Sequence, residues 1–451
     1  MNSCGNSNSR TNSEDAPENG KSNSCKNEEV SMSGKTIIEK ILSRASGKDV
    51  YVNDRVWAEV DLAVVRDFGG PNVVLEFDEF TNKGKVKDPD KIAMTFDYQA
   101  PAKDLKVAQN QALCRDFAKR QGIKNLFDVN WGIGQHVLLE QGMIKPGSVI
   151  VGTDSHMNLL GAVGSFSSGV GTTDIVATWY SGKLWFRIPD TIKVIFKGKY
   201  KEPTSAKDLT LKFVKTIGMD KPNYKSLEFT GEPIENLTLA GRLTLGSMVT
   251  EVNGKVCFIE PSGEALSFLK QRIKDNFDIV KSDKDAKYSE EVEINVDNLI
   301  PQIACPHSPD NVVPVEEVEG KPFNEGFIGS CTNGRFEDFE VAAKILKKVG
   351  KINPEVRLVI VPATREVARQ MLKFGLYDIF MDAGAMIANP GCSLCTAGHH
   401  GVLGKGDVLL STSNRNFLGK LGKGAEVYLC SPATIAASAV EGKITDPRRY
   451  F

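Results

Sequence analysis

The chain has 451 residues, 41% hydrophobic and 25% charged, enough apolar content for a large folded core. Its 56 Lys and Arg against 57 Asp and Glu leave a formal charge of -1, which excludes the basic excess that nucleic acid or an anionic membrane calls for. No apolar run approaches the roughly 18 residues needed to span a bilayer and the N-terminus has no apolar signal core, so a cytoplasmic protein acting on a small molecule is expected, with no nucleic-acid and no membrane partner.

Residues 1–35 are Asn, Ser, Glu, Lys and Gly with almost nothing apolar, which predicts disorder, and their acids argue against an Arg-rich presequence. Ile37, Ile38, Ile41 and Leu42 repeat at helical spacing behind Thr36, where the fold is predicted to begin. Short apolar runs at 92–96, 148–151, 191–196, 356–361 and 408–410 then alternate with longer helical patterns, the signature of an α/β fold. The charged, poorly periodic stretch 270–295 reads as surface near a domain junction. Three α/β units are expected, at 36–190, 191–315 and 316–451.

Polar motifs fall just behind the strands, where an open α/β sheet presents ligand-binding loops. Asp97 follows 92–96; Asp154, Ser155 and His156 follow 148–151; Asn414 and Arg415 follow 408–410. Three strand ends thus deliver acids, an imidazole, an amide and a guanidinium.

The nine cysteines are too sparse and irregular for a disulfide scaffold, so reduced thiols are expected. Cys4 and Cys25 lie in the polar tail, while Cys114, Cys257, Cys305 and Cys430 read as inert packing thiols. Cys331 sits in the small-residue turn Gly329-Ser330-Cys331-Thr332-Asn333-Gly334-Arg335 ahead of a predicted helix at 336–349, whose N-terminus is expected to favour its thiolate. Cys392 and Cys395 form a CxxC turn behind Asn389-Pro390-Gly391. Three chemistries fit these turns: a redox pair, a structural zinc site with His399 or His400 as fourth ligand, or an iron–sulfur cube on three cysteines with one iron left free of protein thiolate.

Taken with Val151-Gly152-Thr153-Asp154-Ser155-His156, Gly171-Thr172-Thr173-Asp174, Ser411-Thr412-Ser413-Asn414-Arg415-Asn416-Phe417 and Thr445-Asp446-Pro447-Arg448-Arg449-Tyr450, these turns resemble the aconitase superfamily, above all its 3-isopropylmalate dehydratase and homoaconitase-like large subunits. The likeness runs from about Thr36 to Phe451. It implies three α/β subdomains around a central [4Fe-4S] cluster held by Cys331, Cys392 and Cys395, and dehydration and rehydration of a small hydroxy di- or tricarboxylic acid, with 3-isopropylmalate, in leucine biosynthesis, the leading substrate. Homoaconitate, citramalate or a methylated malate are the alternatives. By motif position it implies proton handling by Asp97, Asp154, His156 and Glu251, and contact with substrate or cluster by Arg66, Asp67, Ser155, Asn414, Arg415 and Lys420. It also implies a separate small subunit carrying the swivel domain, which is not expected in this chain.

The sequence departs from the family pattern around the substrate rather than at the cysteines. Tyr98 stands where His usually follows Asp97, and Gly132-Ile133-Gly134-Gln135-His136 moves an imidazole by one position, about 100° around a helix. Arg66 replaces His or Gln, Ser247 an Asn, and Lys420 an Arg. These changes suggest a dehydratase tuned to another hydroxy acid; the competing expectation is a cluster-bearing binding or iron-sensing protein with little hydratase activity. His399 and His400 are left as donors near the cluster or as solvated loop residues.

Overall fold

In the computed structural model, residues 34–397 and 401–451 are described. The expectations for Cys4, Cys25, His399, His400 and nearly all of the polar tail therefore fall outside the described residues. Gly34 and Lys35, the end of that tail, are pinned: their backbone N–H groups donate to Asp285 and Asp283 at 3.0 and 2.8 Å. The first helix, Ile37–Ser46, starts at Thr36, whose N–H and hydroxyl both donate to Glu39. Its Ile37, Ile38, Ile41 and Leu42 face the core, as their spacing requires.

The described residues build three main sheets. The first is all parallel, ordered Asn125–Phe127, Ile92–Thr95, Leu62–Arg66, Val149–Gly152, Phe166–Gly169. The second, also parallel, is ordered Val256–Ile259, Ser226–Thr230, Thr191–Lys197, Glu290–Asn295. The third runs Val312–Pro314, Gln302–Ala304, Glu426–Cys430, Val408–Ser411, Glu325–Ile328, Arg357–Ile360, Met386–Ile387, antiparallel at its first two pairings and parallel in the rest. Almost every central position is buried, which explains why these strands read as continuous apolar runs rather than alternating ones.

The charged stretch 270–295, read as surface, ends in a strand: Glu290–Asn295 pairs in register beside Thr191–Lys197 at the edge of the second sheet. Glu291 and Glu293 face outward, as befits an edge, and Ile294 turns inward. One apolar cluster joins residues of all three sheets, including Ile150, Leu227 and Leu409, so the sheet ends are fixed relative to one another by packing.

Sheet order decides where the site lies. In the first sheet the chain works outward from Leu62–Arg66 in one direction and from Val149–Gly152 in the other, leaving a crevice between their carboxyl ends. The third sheet has the same reversal between Glu325–Ile328 and Val408–Ser411. The first crevice receives Arg66, Asp67 and Asp154; the second receives Cys331, Asn414 and Arg415.

Candidate active site

The two crevices meet. The backbone N–H of Cys392, on the third sheet's far turn, donates to the carbonyl of Asp97 at 3.0 Å. Ile133 N–H, beyond Gly132, donates to Ala363 O at 2.7 Å, and a side chain at Gly132 would stand 2.2 Å from that same oxygen. With φ at +106°, only glycine fits there.

On one face of the site His156 is held between acids. Its Nε2 donates to Glu251 Oε1 at 2.7 Å, its backbone N–H donates to Asp154 Oδ1 at 2.8 Å, and Ser155 Oγ lies 3.3 Å from Nδ1. Burial opposes a charge on this imidazole, yet Asp154 and Glu251 outweigh it and hold its pKa above the ordinary histidine range. Asp154 shows the same contest: burial would raise it, but Arg66 and His156 keep it far below the usual carboxylate range. Arg415 donates from Nε to Glu251 at 2.7 Å and from Nη2 to Ser155 Oγ at 3.1 Å. Ser155 is exposed and the Arg415 side chain is about a quarter exposed, so this end opens to solvent.

The opposite face is built around Arg66. Its Nε donates to Asp97 Oδ1 at 2.9 Å, its Nη1 pairs with Asp154, its Nη2 donates to Cys392 Sγ at 2.8 Å, and its plane lies 5.1 Å over the Tyr98 ring. Asp97 also accepts from Gly134 N–H at 2.6 Å; burial, with Asp67 and Asp154 adding to it, pushes its pKa up to about 6 despite Arg66. Tyr98 reaches Thr396 Oγ1 at 2.7 Å and packs on the exposed Phe68 ring at 4.6 Å, so it bridges the first sheet to the CxxC turn.

The sequence expected Arg66 and Asp67 at the substrate, and the structure occupies both with protein groups. Asp67 accepts from the backbone N–H groups of Asp97, Tyr98 and Gln99 and from Gln111 Nε2, which uses the four lone-pair positions of a carboxylate. It clamps the turn that carries Asp97. His136 is likewise turned to the backbone: its Nε2 donates to Cys331 O at 2.9 Å, and burial, assisted by Arg335, lowers its pKa to about 3, so it stays neutral.

Cys331, Cys392 and Cys395 are free thiols, the first two buried and the third partly so. The expectation of an acidic Cys331 beside the Phe336–Val349 helix is corrected: burial pushes its thiol up, and Cys395 and Asp154 add to that. Burial raises Cys392 and Cys395 as well, each within electrostatic reach of Asp154 and Arg66. Sulfurs that raise one another in this way are stabilised as thiolates by a bound cation. Ser330 and Ser393, flanking Cys331 and Cys392, have φ of +74° and +44°, left-handed values that cost a non-glycine residue on the order of 1–3 kcal/mol.

The fit to an iron–sulfur cluster can be tested on Asn414. Its Oδ1 accepts from Ser330 Oγ at 3.2 Å and lies 3.6 Å from Cys331 Sγ, while its buried Nδ2 has no acceptor among the described residues. An unused amide donor beside the sulfurs suits a sulfide acceptor. Among the described residues no three His, Cys, Asp or Glu side chains converge closely enough to share one metal ion. Cysteines that each reach a different iron do not need to converge.

A family model described as the aconitase family (aconitate hydratase) matches residues 36–442. The chain belongs to the aconitase family. A 3-isopropylmalate dehydratase large subunit of Methanopyrus kandleri is 45% identical over 419 residues, 93% of this chain and 100% of that one. A probable methanogen homoaconitase large subunit of Methanothermobacter thermautotrophicus is 40% identical over 92% of this chain and 97% of its own length. Aconitase X of Thermococcus kodakaraensis covers 84% of this chain and 89% of its own at 16% identity and a TM-score of 0.47, too distant to bear on the site. The protein is a hydro-lyase with an aconitase-type α/β fold, and its family implies an iron–sulfur cofactor. Among the described residues no helix is long and apolar enough to cross a membrane.

Lys207 escaped the sequence reading. Fully buried on the Ala206–Ile217 helix, it donates to the carbonyls of Thr412 and Ser413 at 2.8 and 2.9 Å and so fixes the loop that presents Asn414 and Arg415. Burial lowers its pKa to about 8. Nothing in Ser205-Ala206-Lys207-Asp208 signals this reach, because its acceptors lie some 205 positions away.

Proposed function

We propose that this chain is the catalytic large subunit of a 3-isopropylmalate dehydratase that binds a [4Fe-4S] cluster through Cys331, Cys392 and Cys395 and works with a separate small subunit. The observation that carries the reading is the meeting of those three thiols with the Glu251–His156–Asp154 array at the joined sheet crevices. The names of the relatives, large subunits of dehydratases matched over nearly their whole length, support both the substrate and the partner.

When bound, the cluster supplies Lewis acidity to a leaving hydroxyl. The chain's own residues handle charge and protons. His156, whose charged form Glu251 and Asp154 favour, is the donor for the departing oxygen. Arg415 keeps part of its fork for a substrate carboxylate beyond its bonds to Glu251 and Ser155. Lys420, whose charge favours a Cys395 thiolate, adds a second cation at that end. Asp97, on the opposite face, is held by Arg66 and by the Gly134 N–H, which accounts for both of its oxygens. The base that takes the carbon-bound proton is assigned to the small subunit.

The test is anaerobic reconstitution of the chain, alone and co-expressed with a dehydratase small subunit, followed by iron and sulfide counts and turnover of 3-isopropylmalate, homoaconitate and citramalate. The expected result is about four irons per chain, formation of an unsaturated acid from 3-isopropylmalate, and activity only with the partner present. Zinc or no metal in anaerobically purified protein overturns the cluster; preference for homoaconitate overturns the substrate alone.

A further inference from the structure

Arg66 touches more of the site than any substrate-facing role requires. Its side chain is about one-tenth exposed, and its donors reach two carboxylates on different strand ends and one sulfur on the CxxC turn. These partners are 31, 88 and 326 positions away in sequence, so a single planar group joins both crevices. The Tyr98 ring beneath it, itself tied to Thr396 on the same turn, limits the guanidinium to one plane.

A guanidinium supplies donors in a rigid fork, so holding Asp97, Asp154 and Cys392 together fixes their relative positions in a way a lysine, with its charge but no fork, copies only in part. An N–H directed at a cluster-ligating sulfur, together with a fixed positive charge, stabilises the more negative, reduced state of a cluster and raises its potential. An imidazole or amide at this position lacks both the permanent charge and the third arm.

We propose that Arg66 is a positioning residue that couples the Asp97–Asp154 acid pair to the Cys392 ligand and raises the reduction potential of the cluster. This inference rests on the cluster reading given under Proposed function. It replaces a direct role for Arg66 in binding substrate.

The experiment compares wild type, R66Q and R66K as full chains reconstituted anaerobically with the small subunit. Iron and sulfide content, circular dichroism and the midpoint potential from an EPR-monitored titration at fixed pH are measured for each. A lower potential in R66Q, with R66K between it and wild type, supports the proposal; an unchanged or higher potential in fully loaded R66Q overturns it. Iron lost from folded R66Q and regained in R66K also supports it. Iron lost from both folded variants while wild type is loaded overturns it, since sensitivity to either change marks general packing. Should R66Q fail to fold, R66K carries the test: a small fall supports coupling through the fork, and no change overturns it. If wild type itself takes up no cluster, the functional reading fails and this inference fails with it, an outcome separate from all the others.

Discussion

The two faces of the site are made from similar residue types and do different work. On the face of His156, an imidazole lies between Glu251 and Asp154, and Arg415 extends toward solvent with part of its fork free. On the face of Arg66, the guanidinium is engaged by Asp97, Asp154 and Cys392, Tyr98 replaces an imidazole, and His136 serves the backbone of Cys331. The departures from the family pattern fall mainly on this second face. A proton-transfer array needs groups that exchange charge with a substrate, whereas a structural array needs its donors and acceptors used up internally. On the function proposed above, the same strand-end positions supply either.

The largest effect expected is at the junction of the faces. C331S or C392S should fail to retain iron on anaerobic reconstitution and should lose turnover with it, as read by iron analysis and visible absorption. Next, H156N and E251Q should lower kcat by about 10²–10⁴ with a smaller change in KM, the scale of a lost general acid or its partner. A kcat within threefold of wild type in either variant would remove the proton-handling role from that face. By contrast, Y98H should change kcat by less than about tenfold, because the imidazole there would face an arginine that already holds both acids. A gain beyond that in steady-state assays would show that the second face still limits the chemistry.

Smaller effects concern stability. K207M leaves the carbonyls of Thr412 and Ser413 without their donor and should cost about 1–3 kcal/mol in urea unfolding, with a rise in KM as the Arg415 loop loosens. The smallest expected change is in pH dependence. Asp208 is fully buried and accepts from Gln302 and Ser205, and burial raises its pKa to about 6. The folded protein thus binds this proton more tightly than the unfolded chain does, where the value is about 3.9. Its contribution to stability is complete below about pH 4 and is lost as pH rises through about 6. D208N should flatten the fall in Tm between those limits, and an equal fall in both proteins would mean that Asp208 does not titrate there.

Much of the framework could be read directly from the chain. Apolar runs located the strands Ile92–Thr95, Thr191–Lys197 and Val408–Ser411 to within a residue or two, and the Phe336–Val349 helix lies where its pattern put it. These features are local, and local spacing records them. The Glu290–Asn295 strand was lost among charges, although Val292 and Ile294 alternate as an edge strand would. The cysteine turns and the Asp154–His156 motif were legible because function concentrates several unusual residues within a few positions.

What each residue faces was a different matter. Which strands adjoin, and hence where the chain reverses and opens a crevice, depends on pairings between segments distant in sequence. The same holds for Asp67 clamping the Asp97 turn, His136 meeting the Cys331 carbonyl, Lys207 capping the Arg415 loop, and Arg66 reaching Cys392 across 326 positions. The sequence by itself determined the elements, the strand-end placement of the polar motifs and the three sulfurs, because these are set by short-range periodicity and composition. Only the tertiary structure decided which charges stay free to act and which are consumed in holding the site together, because desolvation and hydrogen bonding depend on neighbours that packing supplies.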